Sequence, residues 1–238
     1  MDEQTADNER ENILRTKKYF DSWRSYQKEV GTHFAELYAN CGSALDKELS
    51  GRVLDVGSGG ILNYHQELAQ RLVAVDYSVE AIDRRAYPPN AVLVQGDGMR
   101  LPFRSATFDC VILQFLMHHL ASYNHAQTVH NVQRCLEESH RLLRNDGKLL
   151  VVESCVPGPL EWGERLLYPM TRRLLKMIDR PMVFQFSVNS FHQIIQSQTT
   201  DTVGVQPISI GKFISQFGLK VPGWLSPCQI RLFKAVKP

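Results

Sequence analysis

The sequence contains no C-x-x-C pair and no H-E-x-x-H, and its five cysteines (Cys41, Cys110, Cys135, Cys155 and Cys228) are scattered and odd in number. Neither a disulfide framework nor a metal site is indicated, and a reducing, cytoplasmic setting fits. No run approaches the roughly 18 apolar residues of a membrane-spanning helix. The first residues, Met1-Asp-Glu-Gln-Thr-Ala-Asp, are acidic where an export signal needs positive charge and then an apolar stretch, so export is not expected. Excess charge of one sign is missing as well. The 27 Lys and Arg face 25 Asp and Glu, too even a balance to demand a nucleic acid partner. The charge is nevertheless uneven along the chain: residues 1–12 carry five acids and one Arg, whereas 203–238 carry five Lys or Arg and no acid. We read that basic tail as a solvated surface.

What is present is enough apolar material for a full core. With 43% hydrophobic and 22% charged residues over 238 positions, the chain reads as one domain with an elaboration. Ile13 to Leu49 is rich in helix formers, with Tyr19, Phe20, Trp23, Tyr26, Phe34 and Tyr38 at helical spacings. At Gly51 the pattern changes. Short, nearly continuous Val, Ile and Leu runs follow at 52–56, 72–76, 91–95, 108–114 and 148–153. Between them lie segments read as helical, Asn63 to Gln70, Val79 to Tyr87 and His125 to Arg144, the last stopped by Asn145-Asp-Gly147. Such an alternation predicts an α/β, Rossmann-like, doubly wound and mostly parallel sheet covered on both faces.

Beyond the fifth strand, residues 157–180 place Leu166, Leu167, Met170, Leu174, Leu175 and Ile178 on one helical stripe, beside Arg165, Arg172, Arg173 and Lys176. A further helix is expected over Gly211 to Phe217, with closing strands at Leu219-Lys-Val and Ile230 to Val236. We divide the chain into an N-terminal helical segment, 1–50, and a main domain, 51–238, in which 157–202 forms a helical cap or insertion. The apolar stripe is expected to pack on the sheet domain or on substrate. Its basic flank, with Trp162 and Tyr168, also permits peripheral membrane contact.

A glycine turn, Gly57-Ser-Gly-Gly60, ends the first strand, where a ligand can approach the backbone and meet donors of a following helix. Asp76 ends the second strand, the place where a carboxylate accepts from ribose hydroxyls. The dinucleotide fingerprint G-x-G-x-x-G would need a third glycine where Leu62 stands, which argues against NAD. Gln95-Gly-Asp97-Gly-Met99 ends the third strand with a carboxylate, two glycines and a thioether, suited to an adenine edge and face.

Taken together, Val53 to Gly60, Val73 to Ser78, Gln95 to Phe103, Phe108 to Leu120 and Leu142 to Leu149 resemble the class I S-adenosylmethionine-dependent methyltransferases, over about residues 50–155. The resemblance implies a seven-stranded sheet with an antiparallel last strand, and S-adenosyl-L-methionine as cofactor with S-adenosyl-L-homocysteine as product. It also implies that the backbone of Gly57, Ser58, Gly59 and Gly60 lines the amino-acid end of the cofactor. Asp76 would take the ribose hydroxyls and Tyr77 would lie on the adenine. Asp97 would accept from its amino group, Gly98 and Met99 would flank the ring, and Gln114 would close the site near the methionine part. The family turn is commonly G-x-G-x-G; here Ile61 occupies the third glycine place.

Asp55 is either a loop-orienting acid or a cofactor contact. His118 and His119 directly follow the fourth strand, and either is a structural residue or a general base near neutral pH. The expected reaction is methyl transfer to a small, apolar or aromatic-bearing acceptor. The segments expected around the methyl group are Phe115-Leu-Met117, Trp162, Leu166 to Met170 and Met182 to Phe186. Nucleic acid is not expected as acceptor, because the Asp-Pro-Pro-Tyr type of motif after the fourth strand is replaced by Gln114-Phe-Leu-Met117. The alternatives are a non-catalytic binding protein of the same fold and an NAD-dependent oxidoreductase. The oligomeric state is not legible.

Overall fold

The computed structural model describes residues 14–16, 18, 34–78, 87–199, 202–216 and 219–238, with backbone alone at 213–216 and 219–220. The aromatic residues Tyr19, Phe20, Trp23 and Tyr26 and the helix expected at Val79 to Tyr87 fall almost wholly outside these residues. In chain order the elements are α1 (Ala35–Asp46), β1 (Arg52–Val56), β2 (Arg71–Asp76), β3 (Ala91–Gln95), β4 (Phe108–Gln114), α2 (His125–Leu142) and β5 (Leu143–Cys155). They are followed by α3 (Gly158–Met177), α4 (Val188–Gln198), β6 (Gly204–Pro207), β7 (Phe213–Gln216), β8 (Leu219–Pro222) and β9 (Gln229–Val236).

Seven strands form one sheet in the order β3-β2-β1-β4-β5-β9-β6. The first five pair in parallel, whereas β9 runs antiparallel to both β5 and β6. Side chains of a strand point alternately to opposite faces, so each central strand feeds two cores. Leu54, Val56, Val111, Leu113 and Val151 pack under Val132 and Leu136 of α2 and Phe191 and Ile195 of α4. Val53, Cys110, Ile112, Leu150 and Val152 pack under Leu37, Cys41 and Leu45 of α1. The strand order reverses between β1 and β4, so the carboxyl ends of these two strands flank a crevice.

Three expectations are corrected. Asn63 to Gln70 is not an α-helix: only a single 3-10 turn, Gln66–Leu68, interrupts an irregular path. Long-range partners hold that path. The side-chain amide of Asn90 donates to the carbonyls of Gln66 and Ala69, and the Asn63 amide donates to Tyr38. A Cβ on Gly42 of α1 would lie 1.9 Å from the Asn63 carbonyl oxygen, so α1 rests directly on this loop. Secondly, Phe213–Gln216 is a strand and not a helix, pairing with β8 in a separate two-stranded sheet. The seventh strand of the main sheet is β6, in the place expected for Leu219-Lys-Val.

The third correction concerns the stripe on α3. Leu166, Leu167, Met170, Leu174 and Ile178 face solvent, and Tyr168 is the buried residue of the helix. Inward lie polar anchors. Tyr168 donates its hydroxyl hydrogen to the Ser122 carbonyl and lies 2.8 Å from the Thr128 hydroxyl, and Arg172 donates to the Tyr123 carbonyl. The chain then returns to the sheet, where Phe184, Phe186 and Phe191 join the core under β5 and β9.

Candidate functional site

The four sheet neighbours β3, β2, β1 and β4 bring their carboxyl ends to one edge, and the residues singled out for cofactor binding sit there, with the exception of Asp55. The turn after β1 is built from backbone. Gly57, Gly59 and Gly60 have φ of 72°, 52° and 73°, the left-handed region that side-chain-bearing residues enter only at a cost. At Gly57 the space is also closed, since a Cβ would lie 2.7 Å from the Leu116 side chain. Leu116 belongs to the segment after β4 and also approaches the place of a Cβ on Gly98, at 3.8 Å. The turns after β1, β3 and β4 therefore meet around one leucine.

Asp76, half-buried at the end of β2, accepts from the backbone N–H of Gly59 (2.8 Å) and of Ser78 (2.8 Å). Burial pushes its carboxyl above the ordinary range, opposed by those backbone hydrogen bonds. Asp97 is exposed and accepts from the Met99 N–H at 2.9 Å, in a turn closed by Arg100 N–H donating to the Asp97 carbonyl. Tyr77 is half exposed beside them, its carbonyl taken by the Gln95 amide. Ser58 lies 3.2 Å from the Tyr87 hydroxyl. Gln114, partly buried, ends β4.

Asp55 lies behind this surface. It is 2% exposed and accepts the Tyr64 hydroxyl at 2.7 Å, while its other oxygen, Oδ1, has no hydrogen-bond partner among the described residues. Burial pushes its carboxyl up to about 7, against the lowering effect of the Tyr64 hydrogen bond. Asp55 thus pins the loop through Tyr64 from the α1 side of the sheet.

The two histidines have different surroundings. His118 places Nδ1 2.7 Å from Oε1 of Glu153, a residue of β5. Glu153 is 2% exposed, and its carboxylate also accepts from the backbone N–H of Met117 (2.9 Å) and Ser154 (2.7 Å). With N–H donors at both oxygens Glu153 acts as an acceptor, so Nδ1 of His118 carries the hydrogen and Nε2 is the basic nitrogen. Burial, with neighbouring His118, holds His119 well below the usual imidazole range. It is neutral at pH 7. Glu153 and Tyr64 were not singled out from the sequence, and Leu116 was named only as part of the segment expected around the methyl group. A lone acid closing the apolar run Leu149 to Val152 was the available signal for Glu153.

The expected surroundings of the methyl group are only partly assembled. Trp162 and Leu166 point to solvent, and Met182, Phe184 and Phe186 are buried in the core. Phe115, with φ of 51°, packs against Tyr38 of α1 in a tilted arrangement with ring centroids 5.5 Å apart. Among the described residues no group of His, Cys, Asp or Glu is arranged to hold a metal.

Residues 54–151 match the family described as a methyltransferase domain. A demethylmenaquinone methyltransferase of Thermobifida fusca is 28% identical over 158 residues, 60% of this chain and 62% of that protein. An Encephalitozoon cuniculi protein bearing a methyltransferase name is 31% identical over 99 residues, and there the match spans 43% of the relative's length. The chain thus covers less than two thirds of either. In fold, the chain is similar to the Burkholderia thailandensis 1,6-didemethyltoxoflavin-N1-methyltransferase, solved with S-adenosylhomocysteine. Its TM-score is 0.65 at 17% identity, over 96% of this chain and 90% of that one. A Haemonchus contortus phosphoethanolamine N-methyltransferase gives a TM-score of 0.60 at 16% identity, over 90% of this chain and 56% of that one. The chain thus carries the match to a methyltransferase domain over residues 54–151, and the sheet built there, with β9 antiparallel at its far side, has the fold of the S-adenosylmethionine-dependent methyltransferases it resembles.

Proposed function

We propose that the protein transfers a methyl group from S-adenosylmethionine to a small, aromatic-bearing acceptor whose ionisable group is deprotonated by His118. The observation that carries this reading is the convergence of the Gly57–Gly60 turn, Asp76, Asp97 and the His118–Glu153 pair on one edge of the sheet.

The residues fit the cofactor. At Gly57 a side chain would strike Leu116, so the turn after β1 presents only its peptide group at that position. Both oxygens of Asp76 accept from backbone N–H groups, Oδ2 from Gly59 and Oδ1 from Ser78, and a carboxylate has further acceptor capacity for ribose hydroxyls. Asp97, with one oxygen on Met99 N–H, has the other for an exocyclic amine. When bound, S-adenosylmethionine supplies an electrophilic sulfonium methyl.

What remains for this chain is alignment, water exclusion and proton handling. Glu153 fixes the His118 ring and its tautomer, leaving Nε2 to take a hydroxyl proton from the acceptor as the nucleophile forms. The imidazolium so formed is stabilised by the same carboxylate. His119, kept neutral, packs on that ring with centroids 4.0 Å apart and serves position rather than proton transfer. The name of the T. fusca relative suggests a hydroquinone as acceptor, in which loss of a phenolic proton makes a ring carbon nucleophilic.

Calorimetric titration with S-adenosylmethionine and S-adenosylhomocysteine tests the first half of this reading, with NAD as the control. Absence of binding by the first two would favour a non-catalytic member of the fold, and binding of NAD an oxidoreductase. Release of S-adenosylhomocysteine across a panel of hydroquinones, phenols, amines and sugars tests the second half. Turnover confined to sugars or to tRNA would overturn it.

A further inference from the structure

We infer that the outward face of α3 is a docking surface for an anionic lipid bilayer. This goes beyond the methyl-transfer reading and does not depend on it. The helix is 20 residues long, about 30 Å at 1.5 Å per residue, and it is anchored on one side only. Along the other side run Trp162 (67% exposed), Leu166 (62%), Met170 (60%), Leu174 (56%) and Met177 (82%). Single exposed apolar residues are ordinary on soluble proteins; a continuous row of large ones along one helix is not.

The charges on the helix are sorted by side, and this selects the occupant. Its two acids are both turned to the body of the protein. Glu161 accepts from the N–H and hydroxyl of Ser187 and Ser190, respectively, and Glu164 accepts from the Gln185 N–H. Arg165, Arg173 and Lys176 are exposed beside the apolar row. Asp179, just past the helix, is an acid in the neighbourhood and is paired with Arg15 and Lys18. The face therefore presents large apolar side chains and positive charge, with Trp162 near one end, which is the composition of a helix lying in the headgroup region of an anionic membrane. A second copy docked antiparallel on this face about a two-fold axis would set its basic flank against an identical one. No helix of the described residues is long and apolar enough to cross a membrane, so the contact is peripheral.

The test is flotation of the full chain with vesicles of phosphatidylcholine alone and of phosphatidylcholine with about one-third phosphatidylglycerol. We expect binding at least about tenfold stronger to the anionic vesicles, weakened by added salt as surface charges are screened. Leu174→Glu/Met177→Glu is expected to abolish it and Arg173→Glu/Lys176→Glu to weaken it. Circular dichroism and S-adenosylhomocysteine calorimetry should be unchanged in both, which separates loss of docking from loss of fold or of the cofactor site. Two results would overturn the inference. One is no flotation of the wild-type chain with anionic vesicles at low salt. The other is flotation that both double variants leave intact. A wild-type dimer in sedimentation that Leu174→Glu/Met177→Glu dissociates, without vesicle binding, would assign the face to a second copy instead.

Discussion

Glu153 and His118 lie 35 positions apart in sequence and 2.7 Å apart in space, because β4 and β5 are parallel neighbours that end side by side. A buried acid that accepts two backbone N–H groups has a fixed position, and it passes that fixity to the imidazole. We expect His118→Gln to lower kcat by roughly 10²–10⁴-fold, the usual contribution of a general base, with S-adenosylhomocysteine affinity unchanged. Glu153→Gln should lower kcat less and shift the pH profile, since the amide cannot stabilise the imidazolium. Equal pH profiles for Glu153→Gln and wild type would show that the pair is structural only.

At the cofactor end, Asp76→Ala removes a carboxylate that holds Gly59 and is placed to receive ribose hydroxyls. Loss of such charge-assisted hydrogen bonds predicts a weakening of cofactor binding by about 1–3 kcal/mol. Calorimetry on the folded variant checks it. An unchanged dissociation constant would remove Asp76 from the site and leave it as a brace of the glycine turn.

Much of this arrangement was legible in the sequence, and the exceptions share a cause. Val53 to Val56 and Val111 to Leu113 read as buried strands because both their faces are covered, and the acids Asp76 and Asp97 stand out at strand ends. The loop at 63–70 was misread because Asn90 and Gly42, both distant in sequence, determine its path. Periodicity identified α3 as amphipathic and turned its apolar stripe inward, whereas Tyr168, Glu161 and Glu164 hold the opposite side to the body through polar bonds. Phe213 to Gln216, Phe-Ile-Ser-Gln, is too short for its pattern to choose between the elements until a partner, here β8, is known.

The contact between Gly57 and Leu116 gives a paired test. Gly57→Ala places a methyl group 2.7 Å from the leucine side chain at a φ of 72°. Left-handed backbone costs a residue with a Cβ about 1–2 kcal/mol, and the steric clash adds to this. We expect Gly57→Ala to destabilise the fold and abolish cofactor binding, and Gly57→Ala/Leu116→Ala to recover part of the stability but not the binding. A double variant no more stable than Gly57→Ala would show that the two positions are not coupled.

The last prediction concerns pH. Asp55 has its carboxyl raised to about 7 by burial, against about 3.9 in an unfolded chain. Above the unfolded value the folded state therefore holds more protons at this position than the unfolded state does. The stability it contributes is full below about pH 4 and is lost as pH rises through about 7. At most one proton is involved, so the slope cannot exceed about 1.4 kcal/mol per pH unit. Asp55→Asn keeps an acceptor for the Tyr64 hydroxyl but has no proton to lose. Denaturant unfolding of both proteins from pH 5 to pH 8 should show wild type losing stability relative to the variant as pH rises. A difference that stays constant over this range, or one that grows in favour of wild type, would mean that Asp55 is ionised throughout and that the Oδ1 atom finds a proton donor after all.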